Sequence, residues 1–203
     1  MGGFFGAVSR KNCKYDVFFG TDYHSHLGTK RGGLAFYDAE MGFQRQIHNV
    51  ENTPFRTKFE NDLSKMNGTA GLGAISDTDP QPLLVRSHLG MFAIASVGLI
   101  ANAEQIVAET FSAPGHYFMA MSSGKVNDNE LIAALINRCG DLVEGIQFAQ
   151  NLIQGSSTIL LLTEDGIIAA RDKVGRLPIV VGKNEDGCCV SMESFACQKL
   201  GRK

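Results

Sequence analysis

The chain has 203 residues, 44% hydrophobic and 20% charged, and 19 basic against 21 acidic residues leave a net charge of −2. Folding at this length buries about 70% of the unfolded surface, so one domain can form a core without staples. The composition excludes disordered, collagen-like and disulfide-scaffold chains, and the charge excludes a basic nucleic-acid or membrane footprint. Five cysteines without a C-x-x-C pair exclude a zinc framework and fit reduced thiols in the cytoplasm. No apolar run reaches the ~18 residues of a membrane span. The start, MGGFFGAVSRKN, lacks the basic and long apolar regions of a secretory signal. Gly6 stands where a myristoylation signal requires Ser or Thr.

Residues 2–9 (GGFFGAVS) are short, apolar and Gly-bounded, which predicts a buried strand. The spacing of Val17, Phe18, Tyr23 and Leu27 predicts a helix over Asp16–Lys30. GLAFYD (33–38) and residues 43–49 read as strands, and 54–65 as a short helix. Gly68, Gly71 and Gly73 punctuate a turn into a strand at Leu72–Ser76, followed by the turn residues SDTDPQP (76–82). LLV (83–85) and MFAIASV (91–97) are strand-like.

Asn102 with Gln105 predicts a capped helix start. Asn127 with Glu130 caps a helix over Leu131–Asn137, and Asp141 with Glu144 caps another reaching about Ile153. STILLLT (157–163), Glu164-Asp165-Gly166 and IIAARD (167–172) read as a hairpin. PIVVG (178–182), the turn Asn184–Gly187 and CCVSM (188–192) read as a second. These strands are almost continuously apolar, so the sheet is covered on both faces and the class is α+β.

Several segments, in order, resemble the glutaminase domain of the amidophosphoribosyltransferase family. They are Gly2-Gly3-Phe4-Phe5-Gly6, Arg31-Gly32, Gln81-Pro82, Ala95–Asn102, Asn127–Glu130, Leu161–Asp172, Pro178–Gly182 and Ser191–Ser194. The hairpin with Arg171-Asp172 is the most specific piece. That family is a class II glutamine amidotransferase of the N-terminal-nucleophile hydrolase fold. The resemblance implies a four-layer α-β-β-α sandwich with two mostly antiparallel sheets face to face, spanning 1–203. It also implies that the family domain continues beyond this chain and joins a phosphoribosyltransferase domain.

The implied reaction is hydrolysis of the glutamine side-chain amide, with ammonia passed on for phosphoribosylamine synthesis in purine biosynthesis. The family's nucleophile is a cysteine after the initiator methionine, whose α-amine serves as base. Gly2 stands there with no side chain. The family's oxyanion hole joins an Asn amide to the following Gly N–H. Val97-Gly98 keeps the glycine and loses the amide, a loss of about 10²–10³ in rate. Ser76 stands where the family places the Arg that clamps the glutamine carboxylate. Asp128 matches the Asp that holds the glutamine amino group, and reads equally well as a helix-cap residue. Arg31 matches a pocket Arg, with a surface ion pair as its alternative. Leu177 replaces the second Arg of the family's R-D-P-x-G-x-R-P turn, which helps shape the face toward the transferase domain.

Other chemistry is thinly supported. His24 and His26 are two apart and lack a third ligand, so no metal is expected. Gly68–Gly73 lacks the Lys-Ser/Thr of a phosphate loop. Cys13 would become a terminal nucleophile only if the first strand were removed, and Cys188-Cys189 read as packing. The expectation is an amidophosphoribosyltransferase-like domain with a degenerate glutaminase site, structural, regulatory or small-molecule-binding, without cofactor. The alternative is a working glutaminase in which Gly replaces the Cys. Expected partners are glutamine or another small molecule, a phosphoribosyltransferase domain or subunit, and a second copy as a homo-oligomer; neither nucleic acid nor membrane is expected.

Overall fold

A computed structural model describes residues 2–111, 118, 121, 122 and 124–203. The first strand, β1 (Gly2–Ser9), lies inside a six-stranded sheet. On one side it pairs with β4 (Ala70–Ser76), which continues to β2 (Arg31–Asp38) and β3 (Gly42–Asn49). On the other it pairs with β12 (Gly187–Ser191), which continues to β11 (Val180–Lys183). A four-stranded sheet runs β10 (Gly166–Ala170), β9 (Gly155–Thr163), β6 (Gly90–Ile100), β5 (Leu83–Ser87). Every pairing in both sheets is antiparallel. A two-stranded ribbon joins β7 (Met121–Ser122) to β8 (Lys125–Val126).

Alternate side chains on each strand serve two different cores. Phe4, Ala35, Leu72, Ala74, Ala93, Ala95, Leu160 and Leu162 fill the space between the sheets. Phe5, Leu34, Phe36 and Ile75 point outward, onto α1 (Lys14–Asp22), α2 (Phe55–Leu63) and α6 (Ser194–Lys199). Ile94, Ile159 and Leu161 point the other way, onto α3 (Ala103–Phe111), α4 (Asp128–Ile136) and α5 (Leu142–Leu152). The result is the expected α-β-β-α sandwich, and the continuous apolar runs follow from burial on both faces. Among the described residues no helix is long and apolar enough to cross a membrane.

Three local readings need correction. The helix expected over Asp16–Lys30 stops at Asp22, and only a single 3₁₀ turn, Ser25–Leu27, follows. There the chain drops His24 into the interior, where its ring meets the Gly20 carbonyl at 2.7 Å and the Ser191 hydroxyl at 3.2 Å. α3 does start right after Asn102, whose carbonyl accepts from the Ile106 N–H at 3.1 Å, but the Asn102 side chain does not cap it. Its amide donates to the Leu152 carbonyl (3.0 Å) and accepts from the Gln154 N–H (2.8 Å), tying the end of β6 to the loop before β9. Gln105 reaches forward to Glu109 at 2.9 Å rather than back. The last helix, α6, was not expected from the sequence.

Candidate functional site

One cleft opens where the ends of the two sheets meet the N-terminus of α4. Gly2 of β1, Ser76 of β4, Val97 and Gly98 of β6, and Asp128 of α4 all line it. The loop 77–82 adds Thr78, Asp79 and Gln81, and β9 adds Ser156 and Ser157. Five of the six residues singled out by the sequence therefore meet in space. Arg31 does not line the cleft: it is exposed, although its backbone sits across from Ser76, which in turn sits across from Gly2.

The large sheet supplies a glycine because nothing larger fits. A Cβ built on Gly2 would lie 2.6 Å from the Ile75 carbonyl oxygen, and backbone would have to shift to admit it. Gly98 is held more tightly still: its φ is 157° and a Cβ would lie 1.9 Å from the Ser156 carbonyl oxygen. Close approach of β9 thus requires glycine there whatever its N–H does. The Ser76 hydroxyl is taken up locally. It accepts from the Thr78 N–H at 3.1 Å and meets the Thr78 hydroxyl at 3.3 Å. Val97 brings no hydrogen-bonding side chain.

The wall formed by α4 is polar and organised. Asn127 caps the helix, its Oδ1 accepting from the Asn129 N–H at 2.8 Å while its Nδ2 donates to the Pro80 carbonyl at 3.0 Å. The Asp79 carboxylate accepts from the Asp128 N–H at 3.0 Å, where the helix dipole favours an anion. Gln81 Oε1 accepts from the Ser96 N–H (2.9 Å) and from Asn129 Nδ2 (3.1 Å). The loop is thus pinned to both β6 and α4. The side-chain oxygens of Asn129 (Oδ1) and Ser157 (Oγ) are buried without a hydrogen-bond partner.

Burial, and then the charge of Asp79, push the Asp128 carboxyl up to about 6, against the pull of Lys125. Among the described residues lining the cleft there is no lysine, arginine or histidine, and no cysteine. The arrangement offers carboxylates, amide oxygens and hydroxyls, which suits a small hydrogen-bond donor. No group of three His, Cys, Asp or Glu side chains that could hold a metal occurs among the described residues. His24 and His26 diverge, the first buried and the second meeting Glu193 at 3.1 Å. Burial holds the His24 ring below its usual pKa.

A family profile described as a glutamine amidotransferase domain matches residues 72–197, well over half of the chain. The chain belongs to that glutamine amidotransferase family. The matched span takes in Ser76, Val97, Gly98 and Asp128, but neither Gly2 nor Arg31. This amidotransferase domain is similar to the amidophosphoribosyltransferase of Methanocaldococcus jannaschii, 27% identical over 98% of the chain and 44% of that protein. It is similar to the Bacillus subtilis amidophosphoribosyltransferase at 26% identity over 98% of the chain and 42% of that protein. The chain thus spans less than half the length of these relatives.

The solved structure of B. subtilis glutamine phosphoribosylpyrophosphate amidotransferase, complexed with ADP and GMP, superposes with a TM-score of 0.86. Identity there is 26%, covering 99% of the chain and 44% of that structure. The domain is therefore amidophosphoribosyltransferase-like, with the N-terminal-nucleophile hydrolase sandwich expected from the resemblance.

Sequence reasoning missed Thr78, Asp79, Ser156, Ser157 and Asn129. Asp79 lay inside a segment read only as turn chemistry, Ser157 opened a strand read only as half of a hairpin, and Ser156 lay just outside that strand. Asn129 stood within a quoted motif, but its bond to Gln81 depends on the tertiary fold.

Proposed function

We propose that this amidophosphoribosyltransferase-like domain has a silent glutaminase site and keeps its cleft as a small-molecule site. The observation that carries this reading is Gly2, which lines the cleft with no side chain and no room for one. Amide hydrolysis by this class of site needs an attacking group, and a hydroxyl substitute would need an adjacent base. Ser96, Ser156 and Ser157 line the cleft, yet among its described lining residues no histidine or lysine side chain stands to activate them. Oxyanion stabilisation is also reduced, because Val97 offers no amide beside Gly98.

Asp128 and Asp79 remain to receive an amino or amide group, and among the described lining residues no cationic side chain remains to receive a carboxylate. Glutamine would bind through its amine end alone, without the second anchor that fixes register. Arg31, outside the cleft, serves in this reading at the surface beside it. The unit is proposed to be one class II glutamine amidotransferase-like domain over 1–203 that works with a phosphoribosyltransferase domain or subunit. The amidophosphoribosyltransferase activity of its relatives motivates that partner. Such a domain would shape or regulate its partner rather than supply ammonia.

Two measurements test this. Pure protein incubated with glutamine is expected to release no ammonia above a protein-free blank. Titration calorimetry with glutamine, glutamate, simple amines, nucleotides and phosphoribosyl pyrophosphate is expected to give heat with the amines and none with glutamate. Ammonia release that is lost in Asp128→Ala would overturn the silent-site reading and favour a working glutaminase with a different nucleophile.

A further inference from the structure

Beneath α6, on the face of the large sheet remote from the small one, three side chains converge on Gly182 of β11. A Cβ built on Gly182 would lie 2.9 Å from Cys197 Cβ, 3.1 Å from Cys189 Sγ and 3.1 Å from Arg202 Cβ. Cys189 belongs to β12 and Cys197 to α6, and both are buried. Their sulfurs lie 3.1 Å apart, so closing to a disulfide length of about 2.05 Å needs roughly 1 Å of movement.

Arg202 is 1% exposed. One of its terminal nitrogens donates to the Asp16 carboxylate, while Nε and Nη1 have no partner. A guanidinium stays charged in any protein environment, and unspent buried donors are costly. A thiolate at Cys197, which feels the charge of Arg202, offsets part of that cost. The geometry points to Cys189 and Cys197 as a reversible dithiol–disulfide pair, oxidised by hydroperoxide and poised by Arg202.

The hydrogen bond from the Cys189 thiol, aided by the charge of Arg202, holds Cys197 below the usual thiol range. The same bond and burial push Cys189 up, so Cys197 is the attacking sulfur. In the first step its thiolate attacks one peroxide oxygen. An S–O bond forms, the O–O bond breaks, and the departing hydroxide takes a proton to become water. In the second step the Cys189 sulfur attacks the sulfenic sulfur. The S–S bond forms, the S–O bond breaks, and a second water leaves with the Cys189 proton. Two electrons pass from the thiols to the peroxide.

Cys13 lies nearby but is unsuited, since burial pushes its thiol up to about 12. Cys188 is exposed, but it is the neighbour of Cys189 along an extended strand and so faces the other way. The helix covering the pair has six residues, so its opening gives a small peroxide access. Oxidation would lock α6 onto β12.

The test uses the full chain, reduced, desalted, treated with a small excess of hydrogen peroxide, alkylated and peptide-mapped. The expected product has lost about 2 Da, carries a Cys189–Cys197 cross-linked peptide, and is restored by dithiothreitol. Its thermal midpoint should rise by about 5 °C, the entropic effect of a short closed loop. Cys188→Ser should leave the cross-link intact, and Cys197→Ser should abolish it. The proposal is overturned if Cys189 and Cys197 are both recovered alkylated while Cys188 or Cys139 is oxidised, or if Cys188 supplies the cross-link. Should Cys197→Ser not fold, the map of the unsubstituted chain decides by itself.

Discussion

Asp128 couples the cleft to pH. Its carboxyl is raised from 3.8 in the unfolded chain to about 6 in the folded one, by burial first and then by Asp79. The folded state therefore binds more protons in that window, and stability falls as pH rises from about 4 to 6. Asp128→Asn should remove this penalty. The expected gain is about 1 kcal/mol at pH 7.5, discounted for partial exposure, and close to nothing at pH 4. Thermal midpoints at the two pH values check it; an equal shift at both would contradict the assignment.

Gly2 carries the second residue-scale prediction. Gly2→Cys returns a thiol, yet its Cβ must displace the Ile75 carbonyl now 2.6 Å away. Val97 still lacks a donor, worth about 3–4 kcal/mol of transition-state stabilisation. Steady-state ammonia release should remain more than tenfold below that of an intact family enzyme assayed alongside, with stability lowered by about 1–3 kcal/mol. Activity within tenfold would mean that the cleft is not degenerate. Gly98→Ala should be more damaging than Gly2→Cys, because Ser156 O lies only 1.9 Å from the added carbon and both partners are strand backbone.

At the scale of elements, strands were legible wherever both faces are buried. Phe4 with Phe5, or Leu160 with Leu161, reads as one apolar run because each neighbour serves a different core. Caps were legible only where no distant N–H claimed the side-chain oxygen. Asn127 and Asp141 do cap, accepting from the N–H groups of Asn129 and Glu144 at 2.8 Å each. Asn102 has the same local pattern, but the 152–154 loop takes both ends of its amide. No window around Asn102 contains that loop. The cleft divided in the same way: family motifs reached Gly2, Gly98 and Asp128, whereas Asp79 and Ser157 became neighbours only through folding.

Asn127 is a joint between elements as well as a cap. Asn127→Ala should cost about 1–2 kcal/mol in a denaturant titration, as it removes the cap and the tie to Pro80 together. The turn after β10 is organised likewise by Asp172. Its carboxylate accepts from Val174 N–H (2.9 Å) and Gly175 N–H (2.8 Å). Burial opposes its charge, yet the backbone N–H groups of residues 174–177 hold its pKa below the carboxylate range. Stability from this turn should be full above about pH 4 and fade as pH falls further. Asp172→Ala should flatten that acid limb of the stability curve.

Across the whole molecule, β1 is an interior strand, bonded to β4 on one side and β12 on the other. Amides of residues 3–8 should therefore exchange with solvent only in the slowest, globally unfolding class. Exchange of these amides as fast as in an exposed tail would contradict the placement.

The same pairing sets an order of events during synthesis. Phe5 sits opposite Ser191 and Ala7 opposite Cys189, so β1 waits during synthesis for a partner strand that is made long after it. Until residues 187–191 emerge, the edge of β1 stays open, with two adjacent phenylalanines and no cover on that side. Such long-range closure slows folding and leaves a sticky intermediate. The nascent domain should depend on chaperone shielding until β12 has been made, and truncation anywhere before β12 should yield aggregates rather than a smaller folded unit.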